Sequence, residues 1–386
     1  MFSDKLEFLR RLAAEVNPFG ERERIATVYP TYAYRSPASQ GEWTIPLRVW
    51  LHKPRRIRLD DQMLGYFVNG LLDEDEDEAA EARSGAPHRP EELTAAELTR
   101  LRHCLADFVA DDDSGESVTV RFDEDEEGTS YPLSRQTDLN GLIFEDLKLP
   151  DEKVRRLLER QGAAAGDQWL RLRAESNGVE GLGRVRVMME ARGLSIVSDV
   201  DDTIKVTEVP AGKKIVLRNT FLREYEYVPE MLARYGRVGQ TYPGYDGVAF
   251  HYVSGSPWQM YRLLAEFLIE SSGFPAGTFH MKSMRKNILD PDSWRDIKNF
   301  IAGREATLEQ KLHQIKTLMR TLPERDFVLI GDSGERDPEV FRAIRDDKDL
   351  GPRVKEIIIR DVVADRFEGM TVLEADPVRP GVSKYE

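Results

Sequence analysis

Two aspartates with a spacing suited to phosphoryl transfer, Asp199 and Asp201, follow the short, largely apolar run at residues 194–197. Together with Thr203 they form an Asp-x-Asp-x-Thr pattern. A strand that ends in two such carboxylates can offer one as a nucleophile and metal ligand, and the other to move a proton to and from the leaving oxygen. The pattern predicts a phosphoryl-transfer site, although acidic residues after a strand also occur in solvated turns and helix caps.

Two more runs typical of buried strands end in small or acidic residues. Residues 248–253 lead into the Ser-Gly-Ser segment 254–256, and residues 327–330 lead into Gly-Asp-Ser-Gly-Glu-Arg-Asp at 331–337. Ligands of open α/β sheets bind outside the carboxyl ends of the parallel strands. Three runs that end in this way therefore predict one shared site.

A helix is predicted over residues 307–319, where apolar residues recur at helical spacing and Thr307 and Gln310 fit a capping box. A helix that precedes a parallel strand runs antiparallel to it, so its first turn lies beside the carboxyl edge of the sheet. Lys311 falls in that turn, whereas Lys316 lies about 7.5 Å further along the axis. Lys311 is therefore the predicted phosphate ligand, and an anion beside it would offset the unfavourable helix dipole. An ordinary surface lysine stays the alternative.

The Ser-Gly-Ser segment offers an anion site. Another helix is predicted over residues 258–271, with Ser256 as its cap and Pro257 at the first helical position. Free N–H groups at a helix start that follows a strand favour an anion. We therefore predict that the Ser254 hydroxyl and the Gly255 amide bind phosphate, and that Ser256 is chiefly structural.

Four motifs thus occur in a fixed order: the Asp-x-Asp-x-Thr pattern, Ser254, Lys311, and Gly-Asp-x4-Asp at residues 331–337. Over roughly its carboxyl-terminal half the chain therefore resembles the haloacid dehalogenase-type phosphatase superfamily, and four ordered motifs are far more specific than one. Several segments narrow the resemblance to the catalytic domain of the actin-patch-associated phosphatidate phosphatases and their bacterial relatives. These segments are residues 198–207, 217–221, 250–259, 279–282 and 330–338.

The resemblance implies a magnesium site. A phosphate monoester dianion repels a carboxylate nucleophile, so a metal has to neutralise the site, and Mg²⁺ prefers oxygen ligands. By the resemblance, Asp199, the main-chain carbonyl of Asp201 and Asp332 hold the ion, with Asp337 nearby.

The resemblance also implies the chemical steps. Asp199 attacks phosphorus and forms an aspartyl-phosphate, while Asp201 protonates the leaving alcohol and later activates water. Lys311 and Ser254 hold the phosphoryl oxygens in the transition state. The implied reaction is Mg²⁺-dependent hydrolysis of phosphatidate, a lipid phosphate monoester, to diacylglycerol and phosphate. A phosphatase of soluble sugar or nucleotide phosphates and a non-catalytic lipid-binding or scaffold protein remain the alternatives.

Residues between the motifs are candidates for substrate contacts. The span 204–246 is long enough for a small cap over the site and places cations beside aromatic residues, which suits an amphiphilic phosphate such as phosphatidate. A solvated surface with a few packing aromatics is an equally good interpretation. The candidate substrate-binding residues are Thr203, Lys205, Arg218, Gly255 and Lys282.

The predicted fold class is α/β. Residues 190–386 are predicted to form a Rossmann-like parallel sheet of the haloacid dehalogenase type with a small cap. Residues 1–189 are predicted to form a mostly-β domain resembling a sandwich or jelly roll. The strand-like alternation that supports this second domain occurs at residues 26–51, 117–122, 130–149 and 168–189.

The amino-terminal half also contains segments with two interpretations. Residues 1–16 show an amphipathic helical pattern that fits a membrane surface, although most such helices pack against their own protein. An insertion near residues 59–104 has helical patterns at both ends. The acidic runs 73–78 and 123–127 offer calcium ligands but lack the glycine and final glutamate of a calcium loop, which favours solvated loops.

Composition sets outer bounds on function. The chain has 386 residues, enough for two domains, and its net charge of −14 disfavours nucleic acid as a partner. The single cysteine, Cys104, excludes an internal disulfide and fits a reducing compartment. No apolar run reaches the length of a membrane span, and the first residues lack a signal-peptide core. The expected location is the cytoplasm, with peripheral membrane contact left open, and the protein partners are unknown.

Overall fold

The computed structural model describes residues 24–35, 41–53, 93–108, 110–160, 168–190, 192–283, 304–362 and 371–374. The predicted helix at residues 1–16, the first helical end of the insertion and the acidic run 73–78 lie outside these residues. Within the described ranges, no helix combines the length and the apolar character that crossing a bilayer requires.

The described part of the amino-terminal half is rich in strands, as predicted. Helices α1 and α2 interrupt these strands. In chain order the elements are β1 (Ile25–Val28), β2 (Thr31–Ala33), β3 (Glu42–Lys53), α1 (Ala95–Leu105), β4 (Asp111–Asp112), β5 (Ser117–Phe122), β6 (Tyr131–Gln136), β7 (Leu142–Pro150), α2 (Asp151–Arg160), β8 (Trp169–Ser176) and β9 (Val179–Val187).

These strands form two sheets around one core. In the first, β3 pairs antiparallel with β1, β4 and β7. The second has the order β2-β9-β8-β5-β6 and is antiparallel except for the pair β2 and β9. Alternation along β8 points Leu170 and Leu172 into the core and leaves Arg171 outside, which is the period-two pattern of a half-buried strand. Helix α2 was not predicted; it buries Val154 and Leu157 in the same core.

The carboxyl-terminal half contains a six-stranded sheet with the order β12-β11-β10-β13-β14-β15. Its first five strands are parallel and β15 is antiparallel at the edge. The three predicted strands are confirmed as the adjacent parallel strands β10, β11 and β13. The strands are β10 (Gly193–Asp199), β11 (Gly247–Pro257), β12 (Gly277–Lys282), β13 (Asp326–Asp332), β14 (Val354–Asp361) and β15 (Thr371–Glu374).

Both faces of this sheet are covered. Strand β13 directs Val328 and Ile330 into one hydrophobic cluster and Phe327 and Leu329 into another. A strand buried on both faces needs apolar residues at nearly every position, which explains the continuous apolar run. The α/β class with a parallel sheet and a β-rich amino-terminal region is therefore confirmed.

The helix before β13 begins earlier than predicted. It spans Arg304–Thr321, so Thr307 lies inside it and the predicted capping box at Thr307 and Gln310 is wrong. Residues 304–306 are Arg-Glu-Ala, which all favour a helix and extend it by most of a turn. Lys311 therefore lies about two turns into the helix, and the predicted first-turn position is also wrong.

The segment after β11 also differs from the prediction at its start. Ser256 and Pro257 belong to β11, and Pro257 has extended backbone angles of φ −71° and ψ 155°. Ser256 is therefore not a helix cap, because pairing of Pro257 with Lys282 of β12 keeps the chain extended. Helical structure covers residues 258–271 as predicted, but as successive 3₁₀, α and π segments.

The span between β10 and β11 contains several short helical segments. Its side chains share a cluster with α1 and the turn that follows α1. The rings of Phe108 and Phe221 lie 6.0 Å apart, and Cys104 Sγ lies 3.8 Å from the Thr220 carbonyl oxygen. The predicted helical end of the insertion thus exists and packs on the carboxyl-terminal half. The other helical segments of the described residues are a 3₁₀ turn (Val209–Ala211), α3 (Lys213–Leu217), a π segment (Arg218–Leu222), α4 (Pro229–Gly236), α5 (Val238–Thr241), a 3₁₀ turn (Trp258–Met260), α6 (Tyr261–Ala265), a π segment (Glu266–Ser271), α7 (Arg304–Thr321), α8 (Asp337–Arg345) and a 3₁₀ turn (Gly351–Arg353).

Candidate active site

The ends of β10 and β13 bring two buried carboxylates together. Asp199 closes β10 and Asp332 closes β13, and Ser198 pairs with Ile330 just before them. The Thr203 hydroxyl donates at 3.3 Å to Oδ2 of Asp199 and at 3.5 Å to Oδ2 of Asp332. The first and last predicted motifs therefore meet at the carboxyl edge of the sheet.

The turn after β13 positions the acidic side chains of its own loop. Oδ1 of Asp332 accepts hydrogen bonds from the N–H groups of Gly334 and Glu335 at 2.6 and 3.0 Å. Oδ2 of Asp337 accepts one from the Asp332 N–H at 3.3 Å. A β-carbon on Gly331 would lie 2.3 Å from Oδ2 of Asp337. Glycine is therefore required where Asp337 folds back beneath the turn.

The result is a cluster of potential metal ligands. Asp199, Asp332 and Glu335 each offer one carboxylate oxygen, and these atoms all lie within 4.8 Å of one another. An all-oxygen donor set fits a hard cation such as Mg²⁺. Glu335 was not among the predicted metal ligands. Only the folded turn shows that Glu335, and not Asp337, joins Asp199 and Asp332 in this cluster.

Lys311 lies between the carboxylates. Its Nζ is 2.6 Å from Oδ1 of Asp199, 2.6 Å from Oε2 of Glu335 and 2.8 Å from Oδ1 of Asp337. Burial disfavours the charged ammonium, but these carboxylates outweigh it and raise the pKa of Lys311. Lys316 instead binds Asp347 at 2.8 Å. The structure thus brings to the site the lysine that the helix geometry favoured.

The site carries more negative charge than its lysine can balance. Burial raises the pKa of both Asp199 and Asp332, and Lys311 only partly opposes this in the presence of the neighbouring acids. The pKa of Glu335 is also raised, first by burial. A divalent cation would relieve this repulsion between like charges. The charge balance therefore agrees with the donor set in fitting a divalent metal.

Asp201 has different partners at its two oxygens. Lys205 Nζ and Thr207 Oγ1 donate to Oδ1 at 3.0 and 2.7 Å. Ser254 Oγ and Ser256 Oγ lie 3.4 Å from Oδ2. Burial raises the pKa of Asp201, but Lys205 and Thr207 have a larger opposite effect. The net result is a lowered pKa.

Ser254 and Ser256 act as a pair at the end of β11. Both are buried, and the Ser256 N–H donates to the Ser254 Oγ at 2.9 Å. Ser256 was predicted to be chiefly structural, yet its hydroxyl reaches the same Asp201 oxygen as that of Ser254. Both serines therefore lie beside Asp201 at the carboxyl end of β11.

The remaining predicted substrate contacts are dispersed. Gly255 lies in β11 between the two serines, and Lys282 ends the neighbouring strand β12, opposite Pro257. Arg218 Nη2 lies 3.6 Å from Oε1 of Glu97 in α1, which holds it against that helix and not against the carboxylate cluster. Thr203 and Lys205 are buried next to the aspartates of their own motif.

Asp202 is an anchor that the motif did not reveal. It has a positive φ of 55°, a conformation that aspartate tolerates better than most residues. Its carboxylate accepts hydrogen bonds from the N–H groups of Thr207, Glu208 and Val209 at 2.8, 2.6 and 2.6 Å. These bonds fix the turn that carries Thr203 and Lys205. The sequence feature that could have indicated this role is that Asp202 is a third aspartate within the Asp-x-Asp-x-Thr motif.

Comparison with known proteins finds a family model that matches the part of the chain that carries this site. Residues 194–361 match the family model described as phosphatidate phosphatase APP1, catalytic domain. The matched span runs from β10 to the end of β14 and contains Asp199, Asp201, Asp332, Glu335 and Asp337. Residues 194–361 are therefore similar to a phosphatidate phosphatase catalytic domain.

Two yeast proteins are similar to part of the chain. Phosphatidate phosphatase APP1 of Saccharomyces cerevisiae is 29% identical over 150 residues, which is 39% of this chain and 23% of that protein. An uncharacterized protein of Schizosaccharomyces pombe, C29B5.04c, is 29% identical over 182 residues, 46% of this chain and 27% of that protein. The chain thus spans about a quarter of the length of these relatives.

Proposed function

We propose that this chain, through its phosphatidate phosphatase-like catalytic domain, is a phosphoric monoester hydrolase that converts phosphatidate to diacylglycerol and phosphate. The observation that carries the proposal is the group formed around Lys311 by the buried Asp199 and Asp332 and the half-buried Glu335. We assign the sheet and its helices to the haloacid dehalogenase type, with residues 204–246 as its small cap. The parallel order around β10 and the ordered motifs support that assignment.

Magnesium is the metal we propose for this site. Asp199, Asp332 and Glu335 would hold it, together with the main-chain carbonyl of Asp201. When bound, Mg²⁺ supplies positive charge that lets an anionic nucleophile approach an anionic phosphate. Asp337 was expected near the metal; its contacts with Lys311 and the Asp332 N–H suit it to holding both in place.

The first half of the reaction is attack by Asp199. A carboxylate oxygen of Asp199 forms a bond to phosphorus as the bond from phosphorus to the alcohol oxygen breaks, which leaves an aspartyl-phosphate. Lys311 is proposed to bind a phosphoryl oxygen in the transition state, and its position 2.6 Å from Asp199 supports this role. Ser254 and the Gly255 amide are proposed to bind the other phosphoryl oxygens.

The second half returns the enzyme to its starting state. Asp201, having given a proton to the leaving alcohol, takes one from the water that attacks the aspartyl-phosphate. The bond between Asp199 and phosphorus then breaks and phosphate leaves. Because the nucleophile and the proton shuttle are separated by one residue on the same turn, both reach the same substrate.

We propose a lipid, phosphatidate, as the substrate. Its support is the match to a phosphatidate phosphatase catalytic domain, with Thr203, Arg218 and Lys282 as further candidate contacts from the sequence. A soluble sugar or nucleotide phosphate is the second candidate, because a net charge of −14 opposes approach to an anionic membrane. We propose a cytoplasmic location with peripheral membrane contact, and two domains, residues 1–189 and 190–386.

Phosphate release tests the proposal directly. The protein is incubated with phosphatidate in mixed micelles and with soluble sugar and nucleotide phosphates, with Mg²⁺ or with a chelator. We expect Mg²⁺-dependent release from phosphatidate that Asp199→Asn abolishes. Efficient cleavage of the soluble esters with no action on phosphatidate would support the second candidate. Absence of turnover on every ester would instead support a non-catalytic lipid-binding or scaffold role.

A further inference from the structure

Lys205 lies too deep to act as a ligand at the rim of a site. It is 1% exposed, and its Nζ lies 3.0 Å from Oδ1 of Asp201 and 2.7 Å from Oγ1 of Thr207. The same nitrogen is 4.8 Å from the centre of the Tyr225 ring. An ammonium has three donors; two go to these oxygens, and the aromatic face stabilises the remaining charge.

The turn that carries Lys205 directs it back onto Asp201. The Val200 carbonyl accepts hydrogen bonds from the N–H groups of Ile204 and Lys205 at 3.0 and 2.9 Å, and the Asp202 N–H donates to the Lys205 carbonyl at 2.7 Å. Both the main chain and the side chain of Lys205 are therefore fixed relative to the motif.

The two oxygens of Asp201 are consequently inequivalent. Oδ1 receives a charge-assisted hydrogen bond from Lys205 and a short one from Thr207, at 3.0 and 2.7 Å. Oδ2 has only the hydroxyls of Ser254 and Ser256, both at 3.4 Å. An oxygen that already accepts two strong hydrogen bonds is a poor site for a proton, whereas Oδ2 remains accessible to one.

We infer that Lys205 is a positioning residue which, together with Thr207, holds Asp201 by Oδ1 so that Oδ2 exchanges the proton with the leaving alcohol and the water. This role rests on the proposed function and replaces the substrate contact expected from the sequence.

The step balances at Oδ2. The O–H bond of protonated Asp201 breaks as the alcohol oxygen leaves phosphorus, and the alcohol departs neutral. In the second half Oδ2 takes a proton from water, the water oxygen bonds to phosphorus and the aspartyl-phosphate bond breaks. Oδ1 keeps its two hydrogen bonds throughout.

The dependence of rate on the leaving group provides the test. A phenol such as p-nitrophenol leaves without protonation, whereas an alkyl alcohol requires it. Lys205→Met and wild type are compared on p-nitrophenyl phosphate, phenyl phosphate and glycerol phosphate with Mg²⁺. We expect kcat/KM to fall by about 100-fold on glycerol phosphate and by less than about 10-fold on p-nitrophenyl phosphate, through kcat and not KM.

Thermal melting will show whether Lys205→Met folds. If it does not, variants of Thr207 test the same role. Thr207→Val removes one hydrogen bond to Oδ1 and should show the same leaving-group dependence, smaller in size, while Thr207→Ser should restore activity on the alkyl ester. Lys316→Met, a lysine paired with Asp347 away from the carboxylates, is the matched control.

The possible results distinguish a failure of the proposed role of Lys205 from a failure of the proposed phosphatase function. Equal losses on all three esters, or a rise in KM with kcat unchanged, would overturn the role of Lys205 while leaving the phosphatase function standing. A wild type that releases no phosphate from any ester, phosphatidate included, would overturn the proposed function and this role with it.

Discussion

The Nζ of Lys311 lies 2.6 Å from Oδ1 of Asp199, and both side chains are only 3% exposed. Glu335 and Asp337 contact the same ammonium. At this burial the lysine charge offsets repulsion among carboxylates that would otherwise favour protonation. Lys311 therefore links the helix before β13 to the chemistry at the end of β10, and its removal should affect both activity and stability.

Lys311→Met should lower kcat/KM by about 10²- to 10³-fold, because a cation at the phosphoryl oxygens acts mainly on the transition state. It should also destabilise the fold by roughly 3 kcal/mol, because it leaves buried carboxylates unpaired. Steady-state kinetics and urea unfolding check the two effects. Lys316→Met, on the same helix, should change neither by much. Near wild-type activity in Lys311→Met would remove this lysine from the mechanism.

Magnesium binding should depend on Glu335 more than on Asp337. Mg²⁺ should raise the melting temperature of the wild type, because a ligand that binds the folded state stabilises it. Glu335→Gln should raise the Mg²⁺ concentration needed for half of that increase by about tenfold or more. Glu339→Gln is the control, since its carboxylate pairs with Arg336 at the surface. A larger shift in Asp337→Asn than in Glu335→Gln would restore Asp337 as the ligand.

The sequence was sufficient to predict the convergence of β10, β11 and β13. Their apolar runs are local signals, and each ends in residues suited to chemistry, so the parallel arrangement follows from general rules for α/β sheets. The same reasoning separated Lys311 from Lys316, although it placed the start of the helix too late. The predicted location of Lys311 at the site was still correct, because a lysine side chain is long enough to reach the carboxylates from the third turn of the helix.

What the sequence did not reveal depends on turn geometry and long-range packing. The position of Glu335 follows from the hydrogen bonds of Asp332 to its own loop, which no spacing rule specifies. Ser256 looked like a helix cap, yet pairing across to β12 keeps it extended. Helix α1 packs against residues more than a hundred positions later, such as Thr220. Local propensity does not contain such contacts.

Gly331→Ala should disrupt the site through a steric clash. The added β-carbon would lie 2.3 Å from Oδ2 of Asp337, so Asp337 would have to leave its contacts with Lys311 and the Asp332 N–H. We expect a loss of about 1–3 kcal/mol in the free energy of unfolding, as for overpacked cores. Activity should also fall by more than tenfold. Gly244→Ala is the control, because a β-carbon there meets no atom within 4 Å. Equal behaviour of the two variants would show that the turn adapts.

The stability of the fold should decrease between pH 7 and pH 5 in part because of two histidines away from the carboxylate cluster. His251 is buried between Ser195 and Thr278, with ring nitrogens 3.2 and 2.7 Å from their hydroxyls. Burial, then the nearby His280 and arginines, lowers the pKa of His251. Burial lowers the pKa of His280 to about 4. Both rings are thus held neutral in the folded state.

The direction in which stability changes with pH follows from proton uptake by the unfolded state. Unfolded histidine has a pKa of about 6.5, so as the pH falls below that value the unfolded state binds protons that the folded state refuses, and stability is lost until the folded pKa is reached. After allowance for its partial exposure, His280 should contribute about 1 kcal/mol of this loss at pH 5. Urea unfolding at pH 7 and pH 5 should show a smaller difference in His280→Asn than in wild type. An unchanged difference in His280→Asn would contradict the argument.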